Sequence, residues 1–157
     1  MCIRDSYASS SENLRRVLLR KARRRLGPDG EAGAEIDTMV AETVERAIRS
    51  GLVDDSLYAN SKVASLMRRG TSTRQMRTKL MAKGVEAEAI THAITEAGPD
   101  ELALARRYAE RKRLGRWRKG DPAPYRDRDL AALGRAGFPY AVARAALETD
   151  PEAEDDA

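Results

Sequence analysis

Arginine is the side chain most able to do chemistry in this sequence, and it comes in three groups. Arg15, Arg16, Arg20, Arg23 and Arg24 form the first, and Arg68, Arg69, Arg74, Arg77, Lys79 and Lys83 the second. Arg106, Arg107, Arg111, Lys112, Arg113, Arg116, Arg118 and Lys119 form the third, with Glu110 as the only acid among them. Too few carboxylates lie nearby to neutralise these cations, so their natural partners are phosphates or an acidic groove. Such contacts neutralise charge without reading a base sequence. Trp117 and Tyr125 lie in and beside the third group, where an aromatic ring can stack on an unpaired base or pin a loop to the body.

Catalytic groupings are missing from the pattern. His92, the only histidine, falls on the polar flank of an apolar stripe, and Cys2 is a single cysteine given no role. The Gly27-Pro-Asp-Gly30 loop lacks the Gly-Lys-Ser/Thr ending of a phosphate-binding loop. Asp54, Asp55 and Asp100 stand where helices should begin and read as caps, not as metal ligands. With no nucleophile, base and oxyanion donor at a workable spacing, an enzyme, a metal and a cofactor are not expected. The chain has 157 residues, 34% of them charged, and no run approaches the roughly 20 apolar residues of a membrane span. A soluble, cytoplasmic, monomeric protein is expected. Its formal charge of +4 includes six acids in the last ten residues, Glu148 to Asp156, so residues 1–147 carry +10.

The elements that must position these groups are helices. Apolar residues recur at helical spacing, as in Leu14, Val17, Leu18 and Ala22, and no stretch sustains a period of two. The spacing predicts about eight short helices: Ser9 to Leu26, Ala34 to Ser50, Asp55 to Arg69, Ser72 to Lys83, Glu86 to Ala97, Asp100 to Leu114, Arg126 to Ala136 and Pro139 to Glu148. Gly27, Gly51, Gly70, Gly84, Gly98, Gly115 and Gly137 each follow such a segment, as helix-ending glycines do. Ser9 to Glu12 and Ser72 to Gln75 fit the capping-box pattern at helix starts.

Self-similarity groups the helices in threes. A shift of 45 places Asp55, Leu57, Ala64, Arg68 and Gly70 on Asp100, Leu102, Ala109, Arg113 and Gly115. A shift of 53 places Leu80 and Gly84 on Leu133 and Gly137, and a shift of 62 places Leu14 and Leu18 on Met76 and Leu80. The expected fold is all-α, with tandem three-helix repeats forming an elongated, curved stack with a long binding surface. A compact bundle is the alternative. Residues 1–8 read as a truncated or non-native leader, 9–50 as a first repeat without its leading helix, 55–97 and 100–148 as complete repeats, and 149–157 as an acidic disordered tail.

Several of these segments, in this order, carry a resemblance. Gly51-Leu-Val-Asp-Asp-Ser-Leu-Tyr-Ala59, Arg69-Gly70, Met76-Arg-Thr-Lys-Leu-Met-Ala-Lys-Gly-Val85 and Arg135-Ala-Gly-Phe-Pro-Tyr140 resemble the RecX regulatory proteins of bacteria, over about Leu14 to Leu147. The resemblance implies a modulator of the RecA recombinase in homologous recombination, DNA repair and the SOS response. Such a protein lies in the groove of the RecA filament on single-stranded DNA and mostly inhibits ATP hydrolysis and strand exchange. It also implies structural roles for Asp54, Asp55, Tyr58, Gly70, Leu80 and Gly84.

The residues expected to contact RecA or non-specifically bound single-stranded DNA are Arg15, Arg16, Arg20, Arg68, Arg69, Arg74, Arg77, Lys79, Lys83, Arg106, Arg107, Arg111, Arg113, Arg116 and Arg118. Charge reversal at Arg106, Arg107 and Arg111 is further expected to abolish filament binding without unfolding the protein. A sequence-independent or helix-turn-helix DNA-binding module without a RecA role is the alternative, and a helical scaffold for another protein the third reading. Charge spread over all three repeats, not gathered on one recognition helix, favours the regulator.

Overall fold

The seven glycines that follow apolar segments all take a positive φ, between 53° and 92°, and the helices end at or just before them. A computed structural model describes residues 9–27 and 31–148, and among these the chain is helical with no strand. Eight α-helices follow one another: α1 (Ser11–Leu26), α2 (Glu31–Arg49), α3 (Asp55–Arg68), α4 (Thr73–Ala82), α5 (Ala87–Ala97), α6 (Glu101–Lys112), α7 (Arg126–Arg135) and α8 (Tyr140–Glu148). Short 3₁₀ turns at Gly115–Trp117 and Ala123–Tyr125 lie between α6 and α7. The leader and acidic tail read from the sequence lie outside the described residues. α2 begins three residues before the expected Ala34, because Gly33 is tolerated in a first turn where the intrahelical bonds are still incomplete.

Two compact units divide the chain after Ser61, with Lys79–Ala93 belonging to the first and Lys62–Thr78 to the second, which continues from Ile94. The division passes through the middle repeat, as expected where a repeat buries its faces against its neighbours more than against itself. In the first unit α1 packs on α2, and Leu14, Leu18, Leu19 and Ala22 cover Ile36, Val40 and Val44. No residue of α1 is itself fully buried. Tyr58, Ala59, Leu80, Val85, Ile90 and Ala93 are the unit's other buried apolar residues among those described. In the second unit α8 packs on α6 and α7, and Val63, Leu66, Met76, Leu104, Leu133 and Phe138 are buried.

The same joint appears once in each unit. Ser10 is fully buried, and its hydroxyl accepts from the Asn13 amide at 3.2 Å while donating to the Lys83 carbonyl. Ser72, 62 positions later, is also buried, and its hydroxyl accepts from the Gln75 amide at 3.3 Å while donating to the Ala136 carbonyl at 2.6 Å. Lys83 and Ala136 immediately precede Gly84 and Gly137, the pair related by the shift of 53. One hydroxyl thus caps the start of a repeat's middle helix and ties it to the end of the next repeat's middle helix. A Cβ on Gly137 would lie 2.6 Å from the Ser72 hydroxyl, so the close approach requires glycine.

Carboxylates complete each joint. Asp55 accepts from the Ser11 amide and hydroxyl, both at 2.7 Å, and Glu101 accepts from the Thr73 amide at 2.8 Å. A negative charge is favoured there by the helix dipole and by the unpaired first-turn amides. Glu101 starts one residue beyond the repeat equivalent of Asp55, and its extra methylene makes up the reach. Asp54 and Asp100 cap their own helices, α3 at Leu57 and α6 at Leu102 and Ala103, as the sequence suggests. Asp55 does not, because its carboxylate is turned to α1. Beside it Tyr58 is buried, and burial, then the charge of Asp55, raises its phenol above the ordinary value.

The cap of α1 is therefore Ser10, not the Ser9 of the capping-box pattern. Glu12 turns to the surface, where it meets Arg15 and Arg16, and the match beginning one residue early is coincidental. Replacing Ser72 or Ser10 by alanine removes a cap and leaves a partly buried carbonyl without its donor, so each is expected to cost about 2 kcal/mol. Ser9→Ala is expected to cost less than about 0.5 kcal/mol. Urea unfolding of the three variants checks the order; a Ser9 effect as large as that of Ser10 contradicts it.

Candidate nucleic-acid interface

Burying the apolar stripe of α1 against α2 leaves Arg15, Arg16, Arg20, Arg23 and Arg24 exposed. Their neighbours then sort them. Arg15 and Arg16 both approach Glu12, at 3.6 and 3.2 Å, and Arg16 also donates to the Ala82 carbonyl at 2.8 Å. Arg23 pairs with Asp37 at 3.4 Å. Arg20 and Arg24 carry no ion pair with a described acid. Exposed pairs of this kind contribute little to stability and exchange readily for another anion.

Around the Gly70 turn, Arg68, Arg69, Arg74, Arg77, Lys79 and Lys83 are all exposed. Arg68, Arg69, Arg74 and Arg77 lie in the second compact unit, whereas Lys79 and Lys83 lie in the first, so this sequence cluster is divided. Arg68, Arg69 and Arg74 have no ion pair with a described acid, which leaves their charge for an external partner. Gly70 brings this turn against α6: a Cβ there would meet the Tyr108 amide at 2.6 Å and the Leu104 carbonyl at 2.8 Å.

The third group is the one the structure changes most. Arg106 is half-buried, and Arg107 donates to the Met67 carbonyl at the end of α3, at 3.1 Å. The Arg111 guanidinium lies 5.6 Å from the centre of the Tyr108 ring, and that ring meets Phe138 at 5.8 Å. Arg107 and Arg111 thus each make a contact within the unit while their side chains stay exposed. Arg113 and Arg116 are exposed, the latter 4.3 Å over the Trp117 ring. Arg118 is held internally by Asp129 at 2.5 Å and lies 4.2 Å over the Tyr125 ring. The aromatic pair thus stacks on arginines of its own chain.

Asp129, only 1% exposed, also accepts from the Gly115 amide at 2.8 Å. It fastens the loop between α6 and α7 to α7, and no motif in the sequence singles it out. The available signal is its place four residues before Leu133, on the same helix face as the buried stripe. At the start of α7 Arg126, together with Arg144 of α8, binds Glu148, whose carboxyl is held below its ordinary value by Arg126 first and then Arg144. The two arginines share that single negative charge.

The arrangement presents exposed cations on both units. His92 is exposed on α5, and among the described residues no three His, Cys, Asp or Glu side chains gather to hold a metal. No described helix is long and apolar enough to cross a membrane.

Comparison with known proteins adds a family. The second three-helix domain of RecX matches residues 54–94, which span α3, α4 and most of α5. The chain is 40% identical over 153 residues to the regulatory protein RecX of Myxococcus xanthus, covering 92% of this chain and 80% of that one. It is 32% identical over 148 residues to the regulatory protein RecX of Agrobacterium fabrum, covering 93% and 78%. No solved structure matches.

The pair of buried Asp129 with half-buried Arg118 gives a direct test of the loop anchor. Removing one partner strands the other, so Asp129→Ala is expected to destabilise the protein by about 3 kcal/mol. The double variant with Arg118→Ala should cost clearly less than the two single variants added together. Trp117 fluorescence should shift with the released loop. Strict additivity in urea unfolding contradicts the coupling.

Proposed function

The chain belongs to the RecX family of regulatory proteins, and from that premise we propose that it binds the RecA filament on single-stranded DNA and modulates it, chiefly by inhibition. The observation that carries this reading is 40% identity to a regulatory protein RecX over 92% of the chain. The regulated processes are ATP hydrolysis and strand exchange in homologous recombination and DNA repair. No catalytic chemistry of its own is needed: the protein acts by occupying surface, and it works in the cytoplasm, where the recombinase does.

The distribution of charge supports the same reading. Arg20 and Arg24 on α1, Arg68, Arg69 and Arg74 around the Gly70 turn, and Arg113 and Arg116 after α6 are exposed. Each repeat therefore offers cations to a polyanionic or acidic partner. Contacts that are weak singly combine strongly when several are made by one molecule, because every contact after the first is intramolecular. Arg16 and Arg107 donate to backbone carbonyls and Arg118 to Asp129.

Titrating the protein into RecA-catalysed, single-stranded-DNA-dependent ATP hydrolysis tests the proposal. Inhibition is expected well below one molecule per RecA protomer. Arg69→Glu with Arg74→Glu is expected to raise the half-inhibitory concentration about tenfold or more, since charge-assisted contacts are each worth roughly 1.5–3 kcal/mol. Full-strength inhibition by that folded variant removes the Gly70-turn arginines from the interface. No inhibition by the parent protein overturns the proposal in favour of a DNA-binding module without a RecA role.

A further inference from the structure

Between the end of α6, the following loop and α7, the second unit contains a cleft of about 510 Å³. Six of its lining residues are basic: Lys112, Arg113, Arg118, Lys119, Arg128 and Arg135. Its one acid, Asp129, is used by Arg118 and by the Gly115 amide. Cancelling that internal pair leaves five cations around one concavity, none with an ion pair to a described acid. Arg128 and Arg135 come from α7, outside the three groups visible in the sequence, and the fold alone brings them to Lys112, Arg113 and Lys119.

Two further observations separate this cleft from an ordinary solvated surface. Arg113 has φ 55° and ψ 51° and is the only residue other than glycine with a positive φ among those described. A left-handed helix end is most easily made by glycine, as at the other turns of this chain, so an arginine there holds a long cation in place against local preference. In addition, Asp129 fixes the loop wall before any ligand arrives, and such preorganisation lowers the entropic cost of binding. The apolar lining is limited to Leu114 and Ala132, which offers no slot for a base or ring.

We propose that this cleft seats consecutive phosphodiesters of a single-stranded nucleic acid, gripping the backbone and leaving the bases unread. The proposal rests on the DNA-binding part of the reading above and gives it an address. Several separated cations suit a chain of phosphates better than one compact anion, and the lack of a base pocket argues against a mononucleotide.

Anisotropy of a fluorescein-labelled oligothymidylate, measured with the full chain over a range of salt concentrations, tests the assignment. Arg128→Ala with Arg135→Ala is expected to weaken binding about tenfold at low salt. It is also expected to flatten the salt dependence by about 1.4 in the log–log slope, at roughly 0.7 for each phosphate no longer neutralised. Arg113→Gly is expected to weaken binding while melting no lower than the parent, which separates removal of a binding cation from damage to the fold. Arg20→Ala with Arg24→Ala, on α1, should have the smaller effect.

If the parent binds and the cleft variants bind equally well with the same slope, the cleft assignment falls while the DNA reading stands. If the parent shows no salt-dependent affinity, both fall. Displacement of the oligonucleotide by inorganic tripolyphosphate at lower phosphate concentration than unlabelled oligonucleotide requires would identify a compact polyphosphate instead and overturn the assignment.

Discussion

A buried serine hydroxyl that accepts from the start of one helix and donates to the end of another holds each repeat to the next. Ser10 does this in the first unit and Ser72 in the second. Neither hydroxyl can leave its position cheaply, since a buried polar group without partners is costly. The constraint therefore fixes which residue must cap the helix, where the facing helix must stop and why glycine follows. An apolar contact of the same size would allow the helices to slide; two directed hydrogen bonds on one oxygen do not.

That joint also decides what the arginines are for. Once the helix starts are capped by serine, Asp55 and Glu101, those acids are no longer available to neutralise surface cations. Some arginines then serve the helix ends: Arg16 donates to the Ala82 carbonyl and Arg107 to that of Met67, both in the last turn of a helix, where a positive charge is favoured. Arg118 is fixed by Asp129. Arg20, Arg68, Arg69, Arg74, Arg113, Arg128 and Arg135 have no ion pair with the chain's described acids. On the proposed function, the first set serves the fold and the second is left for surface contacts.

Local signals made the helices legible in the sequence. Apolar periodicity and glycine stops depend on neighbours within four residues, so helices α3 to α8 fall within a residue or two of their expected bounds. The repeat shifts identified Ser72 and Gly137 as equivalents of earlier positions, yet not the contact between them, since the Ser72 hydroxyl bonds to a carbonyl 64 residues away. Ser9 and Ser10 could each start a helix, and only burial and the Lys83 carbonyl select the second. Asp129 escaped notice because Arg126-Asp127-Arg128-Asp129 reads as an exposed, charged helix start, while its partner Arg118 lies across a loop. The third arginine group was visible as a run of cations, but nothing local to it shows which guanidiniums are already occupied.

On the proposed function the recombinase filament on single-stranded DNA is bound more tightly than bare DNA or RecA alone. Co-sedimentation with RecA filaments, assembled on single-stranded DNA and locked with a non-hydrolysable ATP analogue at physiological salt, tests it most directly. Saturable binding to filaments, with at most weak retention by the bare DNA or by RecA without DNA, is the expected result. Equal affinity for bare single-stranded DNA and for the filament would contradict the account.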